Sequence, residues 1–596
     1  MFREAPELFV IGQLCPHLAE DFSPDELGGL FPTVDIIELV IGPVPAWLLG
    51  VFTPTAGFSA DIVLAGEAAW AHGSVPLELG FNGGDLGFQF IERSRSFHIP
   101  IEYICYRNMR NHYFRPTLPK RSRLLWLAWL RALQPLRPAC SRTTTFLWLV
   151  VVLAALCLRP DLAGVTSLVR SLGLSDASYY CLLHFFHAPA LDLDRLTQLW
   201  QQTLQHLFRR CLVRVNGRPV VLADGLKRPK EGRKMPAVKS LHQESRCNAK
   251  ASFIMGHSLQ AVALLVQAAG VCLAVPVAAR IHEGIVWSAR DRRTLLDKLG
   301  ALLLGLQWNG PLTVVADAYY AAAKFARSLL AQGHHLVTRV RSNAVAYFPP
   351  SPRRSRKPRR GRRRTYGNKT LLQDWFAYRQ QFRKAPSPVY GESGITLRYL
   401  SHDLLWRPLG QLVRFVWVSH PTRGNLVLLC TDLTLDALEI IRLYGWRFKI
   451  EVSFKQAIHT IGAYAYHFWM QDMTPIHRGS GKQYVQRKSE LYRQHIRRKL
   501  AAYERHIQLG LIAQGLLQYL ALSFRRVAWS NFHSYIRTAS PQKPPSEWVV
   551  SQALRHTWPD FLSGSSQSAI LKKFLASKIS PARCGYRDAL GLDITA

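Results

Sequence analysis

Five short runs of apolar and β-branched residues constrain this chain more than any other feature: 219–223 (PVVLA), 253–266, 271–279, 312–316 (LTVVA) and 335–340 (HLVTRV). Helix-patterned stretches at 290–306 and 319–332 separate the later runs. Uninterrupted apolar runs alternating with helices argue for strands buried on both faces, in a mixed sheet covered by helices.

Three neighbouring strands followed by strand, helix and strand is the order of a ribonuclease H-like fold. The fold class expected is therefore α/β, a ribonuclease H-like mixed sheet flanked by helices. A Pro- and Arg-rich segment at 349–364 and short strand patterns near 397–400, 413–418 and 426–430 interrupt that order, so 346–425 reads as a β-rich basic insertion. The core resumes over 426–535, with a helix starting near Leu435 and an apolar helix at 507–522, and a Pro- and Ser-rich tail follows over 536–596.

Charge divides the chain more sharply than length does. At roughly 100–200 residues per domain, 596 residues suggest about three to five units. Residues 1–108 hold four basic residues and 14 acids, a net charge of −10, whereas the whole chain carries +37. The acidic leader thus abuts a strongly basic remainder just before Met109, and upstream sequence translated in frame is the favoured account of it over an autoinhibitory element. The basic excess repels itself unless a polyanion neutralises it, and nucleic acid is the first candidate partner. Nine of the 12 residues from Arg353 to Arg364 are basic, among them Arg359, Arg360, Arg362 and Arg363; the run reads as phosphate-contacting or as a solvated loop.

A helical region covers 109–210, in which 162–172, a Gly173-Leu174 turn and 175–186 read as a helix-turn-helix or an ordinary helical hairpin, with Ser175 as N-cap. The 13-residue apolar run at 146–158 is too short to cross a bilayer, which needs about 20. Ten cysteines without a Cys-x-x-Cys pair point away from a zinc ribbon or disulfide framework and towards a reducing cytoplasm. The 21 histidines show no close ligand spacing, and no Gly-rich phosphate loop argues for ATP.

Two acids stand directly after apolar strands: Asp224 after VVLA and Asp317 after TVVA. A carboxylate at a buried strand end is expensive unless something satisfies it, and a divalent cation does so. The bland alternative for Asp317 is the cap of the next helix. In LYGWRFKIEVSFKQ, Tyr444, Arg447, Glu451 and Lys455 recur at spacings of 3, 4 and 4, which places all four on one helix face. Ordinary i,i+4 salt bridging is one reading. An acid that holds metal while its neighbours hold DNA phosphates is the other.

Together, VVLADG, TVVADAYY, HLVTRVRSNAV, LLCTDL and LYGWRFKIEVSFKQ resemble the DDE transposases of bacterial insertion sequences, in the insertion-sequence-four-like class with its Tyr-x2-Arg-x3-Glu signature. The resemblance spans about 116–526 and implies a metal-dependent DNA transposase. It makes Asp224, Asp317 and Glu451 the catalytic acids and metal ligands, with Tyr444 and Arg447 completing the signature. The class commonly carries a lysine seven residues after the glutamate; here that position is Ile458, and Lys455, one turn after Glu451, stands in for it.

Two Mg2+ ions (or Mn2+) are implied as cofactors, because three carboxylates are hard oxygen ligands. Double-stranded DNA, as transposon ends and target, is the implied partner, bound by a homodimer that associates with the nucleoid. The implied reaction nicks an end by hydrolysis and joins its 3′-hydroxyl to target DNA. Two alternatives remain: a ribonuclease H-fold nuclease that cuts without joining, and a catalytically silent DNA-binding protein.

Overall fold

The computed structural model describes residues 50–55, 59–64, 75–82, 85–92, 95–100, 121–243, 251–341, 343–350, 362, 364–564 and 569–585. The chain forms two units, Met1–Pro119 and Lys120–Ala596. In the first, β1 (Gly50–Thr55), β2 (Ser59–Leu64), β3 (Val75–Asn82), β4 (Asp85–Glu92) and β5 (Arg95–Pro100) form an antiparallel sheet in chain order.

The second unit opens with five helices: α1 (Arg121–Leu133), α2 (Thr143–Leu158), α3 (Gly164–Ser171), α4 (Asp176–His187) and α5 (Leu193–Leu207). Helix α2 is apolar all round, and its residues from Trp148 to Leu158 are all buried, the signature of a helix enclosed by others. Among the described residues no helix is long and apolar enough to cross a membrane. The α3–α4 pair occupies the expected hairpin. Ser175 stands at the N-cap of α4, but its hydroxyl meets Ser178 Oγ at 3.1 Å and caps no backbone amide. A serine at this place satisfies a neighbouring hydroxyl as readily as a helix end.

The sheet follows. Strands β6 (Arg218–Pro229), β7 (Phe253–Ala268) and β8 (Val271–Ile281) form an antiparallel meander. After α6 (Leu295–Gly305) comes β9 (Thr313–Ala316), parallel to β6, and after α7 (Ala323–Leu330) comes β10 (His335–Val340), parallel to β9. The order β8-β7-β6-β9-β10 is that of a ribonuclease H-like sheet, as the run of strand patterns implies. The sheet then continues into β13 (Gly424–Cys430), β12 (Gln411–His420) and β11 (Thr396–Trp406), so β11 and β12, which fall within 346–425, extend the core sheet beyond β13. Helices α8 (Ala437–Trp446) and α9 (Lys449–Gln456) lead to a 34-residue helix α10 (Glu490–Ser523), and α11 (Glu547–Gly564) follows it. The segment 540–564, which reads as a less patterned tail, therefore holds an 18-residue helix whose apolar positions other than Trp548 are buried.

Strand β8 is the edge of this sheet, and an open edge invites pairing with another chain. Side chains of the covering helices occupy its outer carbonyls: Trp200 Nε1 donates to Pro276 O, Gln508 Nε2 to Val277 O and Gln518 Nε2 to Ala274 O. These helices pack closely enough that a Cβ at Gly515 of α10 would stand 2.5 Å from the Trp200 ring.

Candidate active site

Asp224 and Asp317 are placed by strand register. Ala223 of β6 pairs with Ala316 of β9, so the next residue on each parallel strand is an aspartate, and the two stand side by side where the paired run ends. Neighbouring strands lie about 4.8 Å apart, which brings both carboxyls within reach of one small ligand. Asp224 Oδ1 accepts the Gly225 amide at 2.7 Å. Asp317 occupies the N-cap position of a 3₁₀ turn at Ala318–Tyr320, but its carboxyl accepts no cap hydrogen bond. The capping alternative therefore does not account for that carboxyl.

Helices α8 and α9 bring the remaining groups. The Tyr444 hydroxyl donates to Asp317 Oδ1 at 3.4 Å. Arg447 reaches Asp224 Oδ2 at 2.9 Å with one guanidinium nitrogen and Glu451 Oε1 at 2.6 Å with another. The i,i+4 pair is thus present, but the same guanidinium also ties the helix to the strand of the first acid. Side-chain exposure grades across the group, from 16% at Asp224 and 19% at Arg447 to 55% at Glu451, so the site opens to solvent on the Glu451 side.

Electrostatics records the crowding. Burial pushes the Asp224 carboxyl up to about 6; Arg447 and the Gly225 amide oppose the rise, and the negative charges of Asp317 and Glu451 add to it. Burial also pushes the Tyr444 phenol up to about 12, helped by the charge of Asp317. Burial works against the charge of Arg447, yet Asp224 and Glu451 outweigh it and hold its pKa above the ordinary value.

Lys455, one turn beyond Glu451, is exposed and makes no contact with these acids. The expected single helix is instead two, α8 and α9, separated at Arg447 and Phe448. Of the basic run, Arg362 is exposed, while Arg359, Arg360 and Arg363 lie outside the described residues.

Two supporting side chains have only a faint sequence signal. Tyr320, in the DAYY motif, is buried beside Gly225, and its hydroxyl accepts from Gln260 Nε2 at 3.2 Å. Gln260 Oε1 in turn accepts from His282 Nδ1 at 2.6 Å. Burial above all holds His282 neutral, lowering its pKa to about 3. An apolar-looking strand conceals Gln260, because strand patterning reports the face that is buried and not what that face touches.

Among the described residues, no group of three His, Cys, Asp or Glu side chains is spaced to hold a metal ion. In this arrangement Arg447 lies between Asp224 and Glu451. The donor set nevertheless suits a hard divalent cation, because its three acids are all carboxylates and their mutual repulsion at Asp224 is what a cation would relieve.

Residues 135–384 match the family model described as DDE superfamily endonuclease, a span that includes Asp224 and Asp317 and ends before Glu451. No curated protein matches the chain. Similar solved chains include one in a cryo-EM structure of a piggyBac transposase synaptic complex with hairpin DNA. That chain is 13% identical, with 82% of this chain and 80% of that one covered and a TM-score of 0.29.

Proposed function

We propose that this chain is a DDE-type DNA transposase whose catalytic acids are Asp224, Asp317 and Glu451. The observation that carries the reading is the register of β6 and β9, which sets two aspartates side by side, together with a helix pair that adds Tyr444, Arg447 and Glu451 to the same spot.

In this reading the three acids hold two divalent cations, magnesium or manganese, which when bound supply charge stabilisation to the attacking and leaving oxygens of a phosphodiester. The chain's own residues do the rest. Asp224, largely buried, offers carboxyl oxygens from a strand that cannot shift without breaking its pairing to β7 and β9. Tyr444 fixes the Asp317 carboxyl by its hydrogen bond. Arg447 neutralises Asp224 and Glu451 before substrate arrives, and beside the scissile phosphate its guanidinium has a planar, doubly donating match to phosphate oxygens.

The reaction is phosphodiester exchange. Water breaks one P–O bond and leaves a 3′-hydroxyl; that hydroxyl then forms a new P–O bond in target DNA as an old one breaks. Double-stranded DNA is the partner, end DNA and target in turn, and joining two ends favours a homodimer on DNA. The uncompensated basic charge of the second unit supports that partner.

The test supplies a pre-cleaved end carrying a free 3′-hydroxyl, target plasmid and Mg2+. Joined product that disappears in Asp224→Ala supports the transposase. Nicking of the plasmid without joining supports instead a nuclease of the same fold, and neither reaction in the presence of DNA binding supports the silent DNA-binding reading.

A further inference from the structure

The helix that carries the signature is not continuous. Around Arg447 and Phe448 the backbone bonds tighten to i→i−3: Arg447 N to Tyr444 O, Ile450 N to Arg447 O and Glu451 N to Phe448 O, at 3.1, 3.2 and 3.0 Å. Tightened turns of this kind hydrogen-bond poorly and mark places where a helix yields. The joint, at Arg447 and Phe448, separates Tyr444, which meets Asp317, from Glu451, and Arg447 within it reaches both Asp224 and Glu451. Something must set the angle between α8 and α9 if the three acids are to act together.

One loop touches both sides of the joint. Residues 387–394 run from the short strand Arg383–Pro386 to β11. Before the joint, the Val389 side chain packs on Gly445 so closely that a Cβ there would meet its Cγ1 at 3.1 Å. After the joint, the Lys449 ammonium sits 3.7 Å above the centre of the Tyr390 ring.

Lys449 is the first residue of α9, two before Glu451; it is only 9% exposed, and no carboxylate pairs with it among the described residues. Aromatic faces therefore compensate its charge, Tyr390 at 3.7 Å and, farther off, Phe448 at 5.1 Å. The loop is itself anchored. Glu392 Oε2 accepts from Ser387 Oγ at 2.5 Å and from His420 Nε2 at 2.9 Å, and Glu392 Oε1 accepts from Arg423 at 2.7 Å. His420 and Arg423 tie the loop to the β12–β13 hairpin.

We propose that the loop at 387–394 splints this joint, and that Tyr390, by holding Lys449, is the positioning residue that fixes Glu451 relative to Asp224 and Asp317. The inserted strands thereby take part in building the active site. The positioning role rests on the transposase reading of Glu451; the splint itself does not.

The experiment uses the full chain with Tyr390→Leu, which keeps bulk and removes the aromatic face, and Tyr390→Phe, which keeps the face. Backbone amide exchange is measured over α8 and α9, beside nicking of supercoiled plasmid as Mg2+ is varied. Tyr390→Leu is expected to speed exchange at Val452 and Ser453 by about tenfold while α8 is unchanged, and to raise the half-saturating Mg2+ by about tenfold with the rate at saturating Mg2+ nearly retained. Tyr390→Phe should stay within about twofold of the parent in both measurements.

Unchanged exchange in Tyr390→Leu, or a Tyr390→Phe variant as impaired as Tyr390→Leu, overturns the splint. Faster exchange with an unmoved Mg2+ midpoint overturns the positioning role. Should Tyr390→Leu fail to fold, Lys449→Met removes the other partner, and the same outcomes apply. A parent protein that nicks no DNA overturns the enzymatic reading and the positioning role with it, while amide exchange still decides the splint.

Discussion

Strand β6 ends between two sites that handle buried charge in opposite ways. At Asp224 three acids crowd one another and one guanidinium spans two of them. Six residues on, Lys230 is 5% exposed and meets no acid; its ammonium donates to Tyr464 O and Tyr466 O at 2.6 and 2.9 Å and lies 3.8 Å over the Tyr466 ring. His257 closes the second site, bonding to the Tyr466 hydroxyl and Pro236 O, and burial holds it neutral by lowering its pKa to about 3. At the lysine site two backbone carbonyls and a ring, all fixed, hold the ammonium. At the acid site the charge of Asp224 is penalised first by burial and then by its acidic neighbours, a penalty that Arg447 opposes and a bound cation would relieve. Burial penalises both charges, but Lys230 meets only fixed dipoles and a ring, whereas Asp224 shares its surroundings with two further acids and one guanidinium, the kind of cluster that marks a candidate functional site.

The largest effect that can break this contrast is on cleavage. Asp317→Ala should lower plasmid nicking by at least about a thousandfold, roughly 4 kcal/mol, because its carboxylate would face the reacting phosphate through bound metal. Lys230→Met should keep nicking within about tenfold of the parent, since it touches only the segment after α9, while lowering the melting temperature. Substantial nicking by Asp317→Ala would falsify the assignment of that acid.

The next effect is on stability, with opposite signs at the two sites. Burial, reinforced by Arg228, lowers the Lys230 pKa to about 7, so between that value and 10.5 the unfolded chain binds the extra proton and stability rises with pH. The window corresponds to roughly 3–5 kcal/mol, and urea unfolding of Lys230→Met against the parent from pH 7 to 10 should show its loss. Asp224 behaves the other way. Its folded pKa of about 6 exceeds the ordinary 3.8, so the folded state binds the extra proton and stability falls as pH rises from about 4 to 6. Asp224→Asn, measured in chelator at pH 8, should be more stable than the parent by about 3 kcal/mol. No gain there would mean that Arg447 already compensates the site in full.

These sites also differ in how far the sequence discloses them. Asp224 and Asp317 are legible because each ends an apolar run, and a polar residue at that place breaks a pattern. Tyr444, Arg447 and Glu451 are legible because helical spacing survives the tightened joint, although the joint itself has no composition signal. Lys230 is invisible: it lies in LKRPKEGRK, which reads as a solvated charge run, and only the later segment at 464–466 supplies its partners. The helix at Glu547–Gly564 is masked by the Pro and Ser that precede it and by its own Pro559. Partners distant in sequence, unlike periodicity, leave no local trace.

The smallest effect concerns a third group of positive charges, the basic run that the sequence shows between Arg353 and Arg364. The run from Arg353 to Arg364 places nine cations in 12 residues, and its described members Arg362 and Arg364 are exposed. Cations in water gain little from one another and are free to displace counterions from DNA, so each phosphate they neutralise adds about 0.9 to the slope of log K against log salt. Deleting the run should lower the magnitude of that slope by about 2 to 4 in fluorescence anisotropy with non-specific duplex DNA, which corresponds to about two to four phosphate contacts. Lys230→Met should leave the slope unchanged, because a lysine sealed against two carbonyls and a ring reaches no phosphate. An unchanged slope after the deletion would show that the run does not touch DNA, and a slope lowered by Lys230→Met would show that the lysine site opens when DNA binds.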